Sequence, residues 1–401
     1  MIRNYCVYIC ITNKKIMKKI MFWGDSPTLG TGFGNVLKFI ISHLPTEEYK
    51  ISALGAFHNE QPHDLNCTIH KVNAYAEHYD KERLTELIKL EDPDIIFLLN
   101  DIWVIDPILK FLKESNLAQN KKIIVYMPVD AEDHDPKWYS DVDMLAQLVV
   151  YNEFGKSVVT KTCPDLKPLI IEHGIDSNVF YKKFETRTEA KKILFKAPEL
   201  YNSFIILNAG RNQPRKRLDI TLRGFAEFAK DKEDVFLYMH SGAKDCHIDT
   251  IRLSKELGIY NKLIMTTDQE GLTDLTLSDL NLLYNACDVG INTGLGEGFG
   301  LPNAEHAATG AVQIVPAHSA LVDLYQDCGI LIPAEILFTL DIVSTTTKMV
   351  TVQDVAKALE LVYKDKDLCN KHSKLCYEKF TSEKYSWNYI IQQWIELFNK
   401  L

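Results

Sequence analysis

The chain has 401 residues, of which 46% are hydrophobic and 25% charged, so it is long enough for two domains with separate cores. The formal net charge is −9 and Lys and Arg form no dense cluster, which excludes nucleic acid as the main partner. Nine cysteines lie singly without a CxxC pair, which excludes a disulfide framework and a zinc knuckle and is typical of a reduced, cytoplasmic protein.

Residues 1–17 are predicted to be a flexible extension. The apolar stretch after Arg3 is shorter than the about 20 residues that span a bilayer. Four lysines between positions 14 and 19 follow it, where a signal peptide needs small residues. We expect at most peripheral membrane contact through this basic tip.

From residue 18 to residue 180, short apolar runs alternate with helical patterns. One such pattern has its apolar residues on one helical face between Val36 and Leu44. The runs that predict strands are KIMFWGD, KISALGAF, DIIFLLND, KKIIVYMPVD, LVVYNE and PLIIEHG. This alternation predicts an α/β domain with a parallel sheet covered by helices on both faces.

Residues 181–200 are charged, have poor strand character and are predicted to be a linker. A second alternating series over 201–381 predicts a second doubly wound domain, with a ligand cleft between the two. Residues 337–351 fit neither pattern. Residues 382–401 are amphipathic and contain two tryptophans, so they need a surface to cover.

Glycines follow the first predicted strand in GDSPTLGTGFGNV. Gly30, Gly32 and Gly34 precede a helix, where backbone N–H groups bind phosphate at the positive end of the dipole. The spacing is GxGxG rather than GxGxxG. A phosphate site and a plain strand-to-helix turn are equally good interpretations of this stretch.

The loop NAGRNQPRKRLD places four cations within seven residues at the end of a strand: Arg211, Arg215, Lys216 and Arg217. Its position at the edge of the predicted cleft favours the interpretation as an anion-binding site. The alternative is a basic loop that is exposed to solvent and binds no ligand.

The stretch GLGEGFGLPNAEHAATG follows another strand. Pro302 fits the first turn of a helix and Gly310 its end, which places Glu305 in the first turn and Glu297 in the loop before it. Carboxylates next to a diphosphate would repel it, so these two are expected to accept hydrogen bonds from ligand hydroxyls. Compensation of the helix dipole is the alternative for Glu305, but it does not explain Glu297.

Together these residues resemble family 4 of the retaining glycosyltransferases. Arg211 lies five residues before Lys216, and Glu297 and Glu305 flank seven residues within EGFGLPNAE. HGIDSNVF, LLYNACDVGINT and YSWNYIIQQWIELF resemble other family segments, so the likeness covers roughly residues 18–401. It implies the GT-B fold, in which two Rossmann-like domains face a central cleft and the C-terminal helix crosses back to the N-terminal domain.

The resemblance implies a role for each matching residue. Arg211 and Lys216 would bind the diphosphate of a nucleotide-diphosphate sugar, such as a UDP- or GDP-sugar, and stabilise the leaving group. Glu297, with the Gly298, Phe299 and Gly300 amides and Leu301, would orient the sugar. Glu305 would bind the ribose, while Gly32 and its neighbours close over the phosphates. The resemblance implies no metal and no further cofactor, and Asp133-His134-Asp135 is interpreted as a non-ligand sequence.

One departure from the family concerns the donor sugar. Many relatives have a histidine after the fourth strand, where this chain has YMPVDAEDHDP. Asp130 occupies the most similar position and His134 follows four residues later, so either residue is a candidate for contact with the sugar or the acceptor. A cap of the loop is the alternative role of Asp130.

The leading hypothesis is therefore a metal-independent retaining glycosyltransferase. The alternatives are a nucleotide-sugar-binding protein without turnover and, ranked low, a dinucleotide oxidoreductase. The acceptor, a carbohydrate, lipid-linked sugar or protein, is expected to bind the N-terminal loops FHNEQPHDLN and PVDAEDHDPKWY.

Overall fold

The computed structural model describes residues 17–72, 80–267, 275–341 and 343–401. The predicted N-terminal extension therefore lies outside the described residues, except for Met17. Within the described ranges, no helix is long and apolar enough to cross a membrane.

The N-terminal sheet is parallel throughout. Its strands are β1 Lys18–Asp25, β2 Tyr49–Ala56, β3 Thr68–Lys71, β4 Ile95–Leu99, β5 Lys122–Met127, β6 Gln147–Val150 and β7 Leu169–Ile170. They are arranged in the order β3-β2-β1-β4-β5-β6-β7. The accompanying helices are α1 Gly32–His43, α2 Lys81–Glu91, α3 Ile102–Glu114 and α4 Glu153–Thr162.

The C-terminal sheet is also parallel. Its strands are β8 Phe204–Asn208, β9 Val235–Met239, β10 Leu263–Met265, β11 Val289–Ile291, β12 Val312–Pro316 and β13 Ile330–Ile332. The strand order is β10-β9-β8-β11-β12-β13. The helices that follow the first sheet are α5 Arg187–Leu194, α6 Leu218–Phe228, α7 Thr250–Glu256, α8 Leu277–Ala286, α9 Leu301–Ala308, α10 Ala320–Tyr325, α11 Val352–Lys364, α12 Lys366–Phe380 and α13 Trp387–Lys400.

The predicted α/β class with two doubly wound parallel sheets is confirmed. The segment that fits neither periodicity is largely an antiparallel hairpin of β14 Ala334–Thr339 and β15 Thr346–Val350. Its Thr346 forms an antiparallel bridge with Glu132 of the N-terminal half, and backbone hydrogen bonds run in both directions. The hairpin thus connects the two halves next to the cleft.

Helix α13 packs back on the N-terminal sheet, as predicted. The indole of Trp394 is fully buried, and its ring centroid lies 5.0 Å from that of Phe97 and 4.8 Å from that of Tyr126. Phe398 stacks on Trp394 and contacts Tyr49 edge-on. This aromatic cluster covers one face of the sheet and holds the C-terminus against it.

We expect Trp394→Ala to lower the free energy of unfolding by about 3–5 kcal/mol, because it opens a cavity among close-packed aromatic rings. Tyr389→Ala, on the same helix but 45% exposed, is the matched control and should cost less than about 1 kcal/mol. Urea titration of both variants measures the difference. Equal losses would contradict the role assigned to this cluster.

Candidate active site

The strand order reverses beside the first strand of each sheet, between β1 and β4 and between β8 and β11. In doubly wound sheets, ligands bind outside the carboxyl ends of the strands at this switch point. The loops that follow β8 and β11 carry Lys216 and Glu297, respectively. The predicted site residues of the C-terminal half therefore lie where the topology favours a ligand.

Lys216 and Glu297 form a buried ion pair. The Lys216 ammonium lies 2.6 Å from Oε1 and 2.7 Å from Oε2 of Glu297. The amide of Asn292 donates to Oε1 at 3.0 Å, and the backbone N–H of Glu297 donates to Ser319 Oγ. The Glu297 side chain is only 7% exposed, so its charge depends on these partners rather than on water.

The charges around this pair explain its ionisation. Burial by itself would raise the pKa of Glu297, but Lys216 and Arg215 outweigh it and hold the pKa at about 2. Burial lowers the pKa of Lys216, and the Glu297 charge opposes that effect. The Glu297 carboxylate is therefore ionised throughout the neutral range.

Arg215 connects the pair to the N-terminal half. Its NH1 group lies 3.5 Å from Glu297 Oε2 and 3.4 Å from Asp130 Oδ2, and donates to the Gly296 carbonyl. A Cβ atom on Gly296 would overlap the carbonyl of Asp130, so a glycine is needed where the two halves meet. Asp130 thus lies opposite the Lys216–Glu297 pair.

Helix α9 begins at Leu301 after Gly300, whose φ of +81° is readily adopted by glycine. Pro302 lies in its first turn and Gly310 just past its end, as predicted. Glu305 is in the second turn rather than the first, because the helix begins one residue before the proline. Compensation of the dipole at the helix start therefore accounts less well for Glu305.

Glu305 and Glu297 have opposite electrostatic environments. The Tyr284 hydroxyl donates to Glu305 Oε2 at 3.0 Å, and no cation within the described ranges lies in salt-bridge distance of this carboxyl group. Burial raises the pKa of Glu305 to about 8, although the hydrogen bond from Tyr284 opposes the rise. Glu305 therefore carries a proton in much of the neutral range.

A cavity of about 370 Å³ between the two halves brings several predicted residues together. Its lining includes Gly30, Gly32, Arg211, Leu301 and Glu305. The volume is within the range of sites for small molecules and cofactors. This cavity occupies the cleft between the two halves. Lys216 and Glu297 are not in its lining; they line a recess of about 30 Å³ that shares Ala209 and Pro302 with it.

Other predicted residues lie beside the cleft rather than along it. Gly34 packs against the carbonyls of Ser26 and Leu29, where it allows the chain to approach closely. Phe299 is 3% exposed and its ring lies 4.9 Å from that of His173. The Gly298 carbonyl accepts a hydrogen bond from Asn152 of the N-terminal half at 2.6 Å.

Each of the four cations in the predicted basic loop has a carboxylate partner. Arg211 Nε lies 2.6 Å from Asp245, and Arg217 forms a two-point contact with Asp219. Arg215 and Lys216 share Glu297, as described above. Carboxylates of the chain itself therefore neutralise the cations of the predicted anion site.

The side chains of Asp133, His134 and Asp135 all make contacts with residues of the N-terminal half. Asp133 pairs with Lys161, His134 Nδ1 lies 2.7 Å from the Tyr139 hydroxyl, and Asp135 caps a short 3₁₀ turn. Burial lowers the pKa of His134 to about 4. A search of the described ranges finds no group of three His, Cys, Asp or Glu residues arranged to hold a metal ion.

Two residues near Asp130 are not distinguished by the sequence pattern. Arg215 was named in the basic loop but was not distinguished from its neighbours. Asp101 follows β4 at the N-terminal switch point; burial and then the Asp130 charge raise its pKa to about 7, although Arg215 opposes the rise. Its position directly after a buried strand was the available signal.

No family model and no curated protein matches the chain. Solved structures match it over 96% of its length. Sucrose-phosphate synthase from Thermosynechococcus elongatus is 14% identical, with a TM-score of 0.76 over 98% of that chain. A glycosyltransferase from Rickettsia africae is 16% identical, with a TM-score of 0.70 over 98%. Anabaena HepE, in complex with UDP and glucose, is 14% identical, with a TM-score of 0.68 over 100%. These likenesses establish the GT-B fold.

We expect strong coupling between Lys216 and Glu297 in a double-mutant cycle. Lys216→Met and Glu297→Gln should each destabilise the protein by about 3 kcal/mol, because each leaves a buried charge without its main partner. The double variant should lose less free energy of unfolding than the sum of the two single losses, by at least about 1 kcal/mol. The exposed Lys357–Asp354 pair is the control, with coupling below about 0.5 kcal/mol. Additive losses at the buried pair would contradict this picture.

The pKa of Glu305 predicts a pH-dependent effect of Glu305→Gln. The folded chain retains this proton up to about pH 8, whereas the unfolded chain loses it near pH 4.5. The folded state therefore binds more protons between these values, and the wild type loses stability as the pH rises through them. As the pH rises from 5.5 to 9, the free energy of unfolding of the variant should increase by about 2 kcal/mol or more relative to that of the wild type.

Urea unfolding at several pH values measures this change. Glu360→Gln, outside the cleft, is the control: the hydrogen bond from Lys232 lowers the pKa of Glu360, so its difference from the wild type should be constant between pH 6 and pH 9. A constant difference for Glu305→Gln would show that Glu305 is charged in the folded protein.

Proposed function

We propose that this chain is a retaining glycosyltransferase of family 4 that transfers a sugar from a nucleotide-diphosphate sugar to an acceptor hydroxyl without a metal ion. The observation that carries the proposal is the Lys216–Glu297 pair on adjacent switch-point loops of a GT-B fold. The glycosyltransferase from Rickettsia africae and the UDP and glucose bound to HepE support the same substrate class.

The proposed role of Lys216 fits its hydrogen-bonding capacity. Two of its three N–H groups are directed at the Glu297 oxygens, which leaves one for a phosphate oxygen. Arg211 uses Nε and NH2 for Asp245, and its NH1 group has no hydrogen-bond partner in the described part of the chain. Both cations therefore have a donor for the diphosphate without giving up their present contacts.

Negative charge develops on the diphosphate as the bond from the sugar C1 to the phosphate oxygen breaks. The electron pair of that bond goes to the phosphate oxygen, which Lys216 and Arg211 stabilise. The acceptor oxygen forms the new bond to C1 on the same face, and its proton passes to the departing phosphate. Preorganised cations of this kind lower the barrier because they need no reorganisation during the reaction.

The carboxyl groups are assigned to hydroxyls of the donor. Glu297 is ionised and rigidly held, so it accepts hydrogen bonds from the sugar, with the backbone of Gly298, Phe299 and Gly300 beside it. Glu305 lines the cleft and is assigned to the ribose. Asp130, which pairs with Arg215, is proposed to contact the sugar or the acceptor.

The proposed domains are 18–180 with 382–401 on the acceptor side, 181–200 as the linker and 201–381 for the nucleotide sugar. The acceptor is a carbohydrate, a lipid-linked sugar or a protein, and the cytoplasm is the proposed location. The two N-terminal loops named above are the proposed acceptor contacts.

The test is donor binding and turnover with a panel of UDP-, GDP- and ADP-sugars, followed by the anomeric configuration of the product by NMR. Lys216→Ala should lower turnover about 10²–10³-fold, the usual effect of removing one group that stabilises transition-state charge. Glu305→Ala should weaken donor binding. Lys357→Ala, exposed and outside the cleft lining, is the control and should leave both unchanged.

Retained configuration and activity that EDTA leaves within about twofold are the expected results. Equal binding and turnover by the wild type and both cleft variants would refute the proposal. Donor binding without transfer to any acceptor in a cell extract would favour a non-catalytic nucleotide-sugar-binding protein.

A further inference from the structure

A second cavity, of about 850 Å³, opens at the amino-terminal edge of the C-terminal sheet, the edge opposite the cleft. Linker residues from Lys182 to Lys191 form one wall, and residues of α12 from Lys366 to Tyr377 form another. Ser203 and Phe204, where β8 begins, contribute the floor. The cavity shares no lining residue with the cleft.

The cavity is positively charged in an acidic protein. Its lining contains five cations, Lys182, Arg187, Lys191, Lys366 and Lys374, and three carboxylates, Glu185, Asp234 and Asp288. Lys191 and Asp288 neutralise each other at 2.7 Å. The remaining groups include two more cations than carboxylates, which matches the charge of a phosphate monoester at neutral pH.

Arg187 is the strongest candidate to anchor an anion. Its NH1 group donates to the carbonyls of Tyr284 at 3.0 Å and Asn285 at 3.2 Å, which fixes the guanidinium at the end of α8. Within the described ranges, no carboxylate lies within 4.0 Å of it and its other nitrogens have no hydrogen-bond acceptor. Burial lowers the pKa of Arg187, although the charge of Asp288, which is paired with Lys191, opposes the shift.

Lys366 is held near the same opening. Its ammonium lies 5.0 Å from the ring centroid of Phe204 and 4.9 Å from that of Tyr363, so cation–π contacts restrict it. Lys374 also lies 3.7 Å from Glu378, but both side chains are mostly exposed, so this contact is weak. Both lysines add positive potential around Arg187.

We propose that this cavity binds a small phosphorylated metabolite with several hydroxyl groups. Its phosphate lies against Arg187, where the guanidinium supplies two parallel donors. Lys182 and Lys366 contribute charge at the opening. The polar lining side chains Asn202, Asn370 and Ser373 match hydroxyl groups on the rest of the ligand.

The ligand would connect the linker with α12, the helix that precedes α13. The chain passes between its two halves at the linker and again after α12. A ligand that binds both segments only in the folded state would raise the free energy of unfolding. This inference does not depend on the proposed enzymatic activity, because the two cavities have separate linings.

The test uses ribose 5-phosphate, inorganic phosphate and ribose at constant ionic strength, with calorimetric titration and thermal unfolding of the full chain. Ribose 5-phosphate should bind with a Kd below about 1 mM and raise the Tm, whereas ribose should do neither. Arg187→Gln and Lys366→Gln should each weaken binding about tenfold or more. Lys357→Gln is the matched surface control and should bind as the wild type does.

A second set of variants separates the two cavities. Lys216→Ala and Glu305→Gln alter the cleft and should leave ribose 5-phosphate binding unchanged. Binding that is lost in the cleft variants but kept in Arg187→Gln and Lys366→Gln would place the phosphate in the cleft and overturn the inference. Absence of binding by the wild type would overturn it as well. If Arg187→Gln does not fold, Lys366→Gln and Lys182→Gln provide the same test.

Discussion

The ion pair between Lys216 and Glu297 is the constraint on which the arrangement of the cleft depends. Two charges removed from water are tolerated only when each has close partners, and this pair has contacts at 2.6 and 2.7 Å with Asn292 as a further donor. Since the two residues lie on loops after adjacent strands, the pair fixes those loops relative to each other. Arg215 extends the same network to Asp130, so the position of the N-terminal half beside the cleft is coupled to the same charges.

The paired cations have a consequence for ligand binding. The proposed diphosphate would bring negative charge to a loop whose cations already have carboxylate partners, so it would bind the donors that these contacts leave unused on Lys216 and Arg211. The exposed Arg211–Asp245 contact is weakened by solvent and is easily rearranged, whereas the Lys216–Glu297 contact is buried and should persist. Glu305 avoids repulsion in another way, because burial raises its pKa to about 8 and the carboxyl group is largely neutral at pH 7.

Local sequence signals predicted much of this structure, and long-range contacts account for most of what was missed. The apolar runs, the basic loop and the position of Pro302 specify strands, loops and a helix start from a few neighbouring residues. The partners of the cations could not be predicted, since Asp245 is 34 residues from Arg211 and Glu297 is 81 from Lys216. The hairpin at 334–350 was missed because most of its side chains are exposed or half-buried, so it lacks the apolar run of a buried strand. Pro302 located the start of α9 to within one residue, and that one residue is enough to move Glu305 from the first turn into the second.

Carboxylates end or follow three strands of the N-terminal sheet and cations follow β8, and this difference bears on the proposed acceptor. Strand β1 ends at Asp25, and Asp101 and Asp130 follow β4 and β5. The loop after β8, in the other half, is basic. If the proposed acceptor binds beside these carboxyl groups, their oxygens would suit a hydroxyl group better than an anionic group. Asp101, with a pKa near 7, is able both to accept and to donate a hydrogen bond at neutral pH. We therefore propose a neutral hydroxyl compound as the acceptor class.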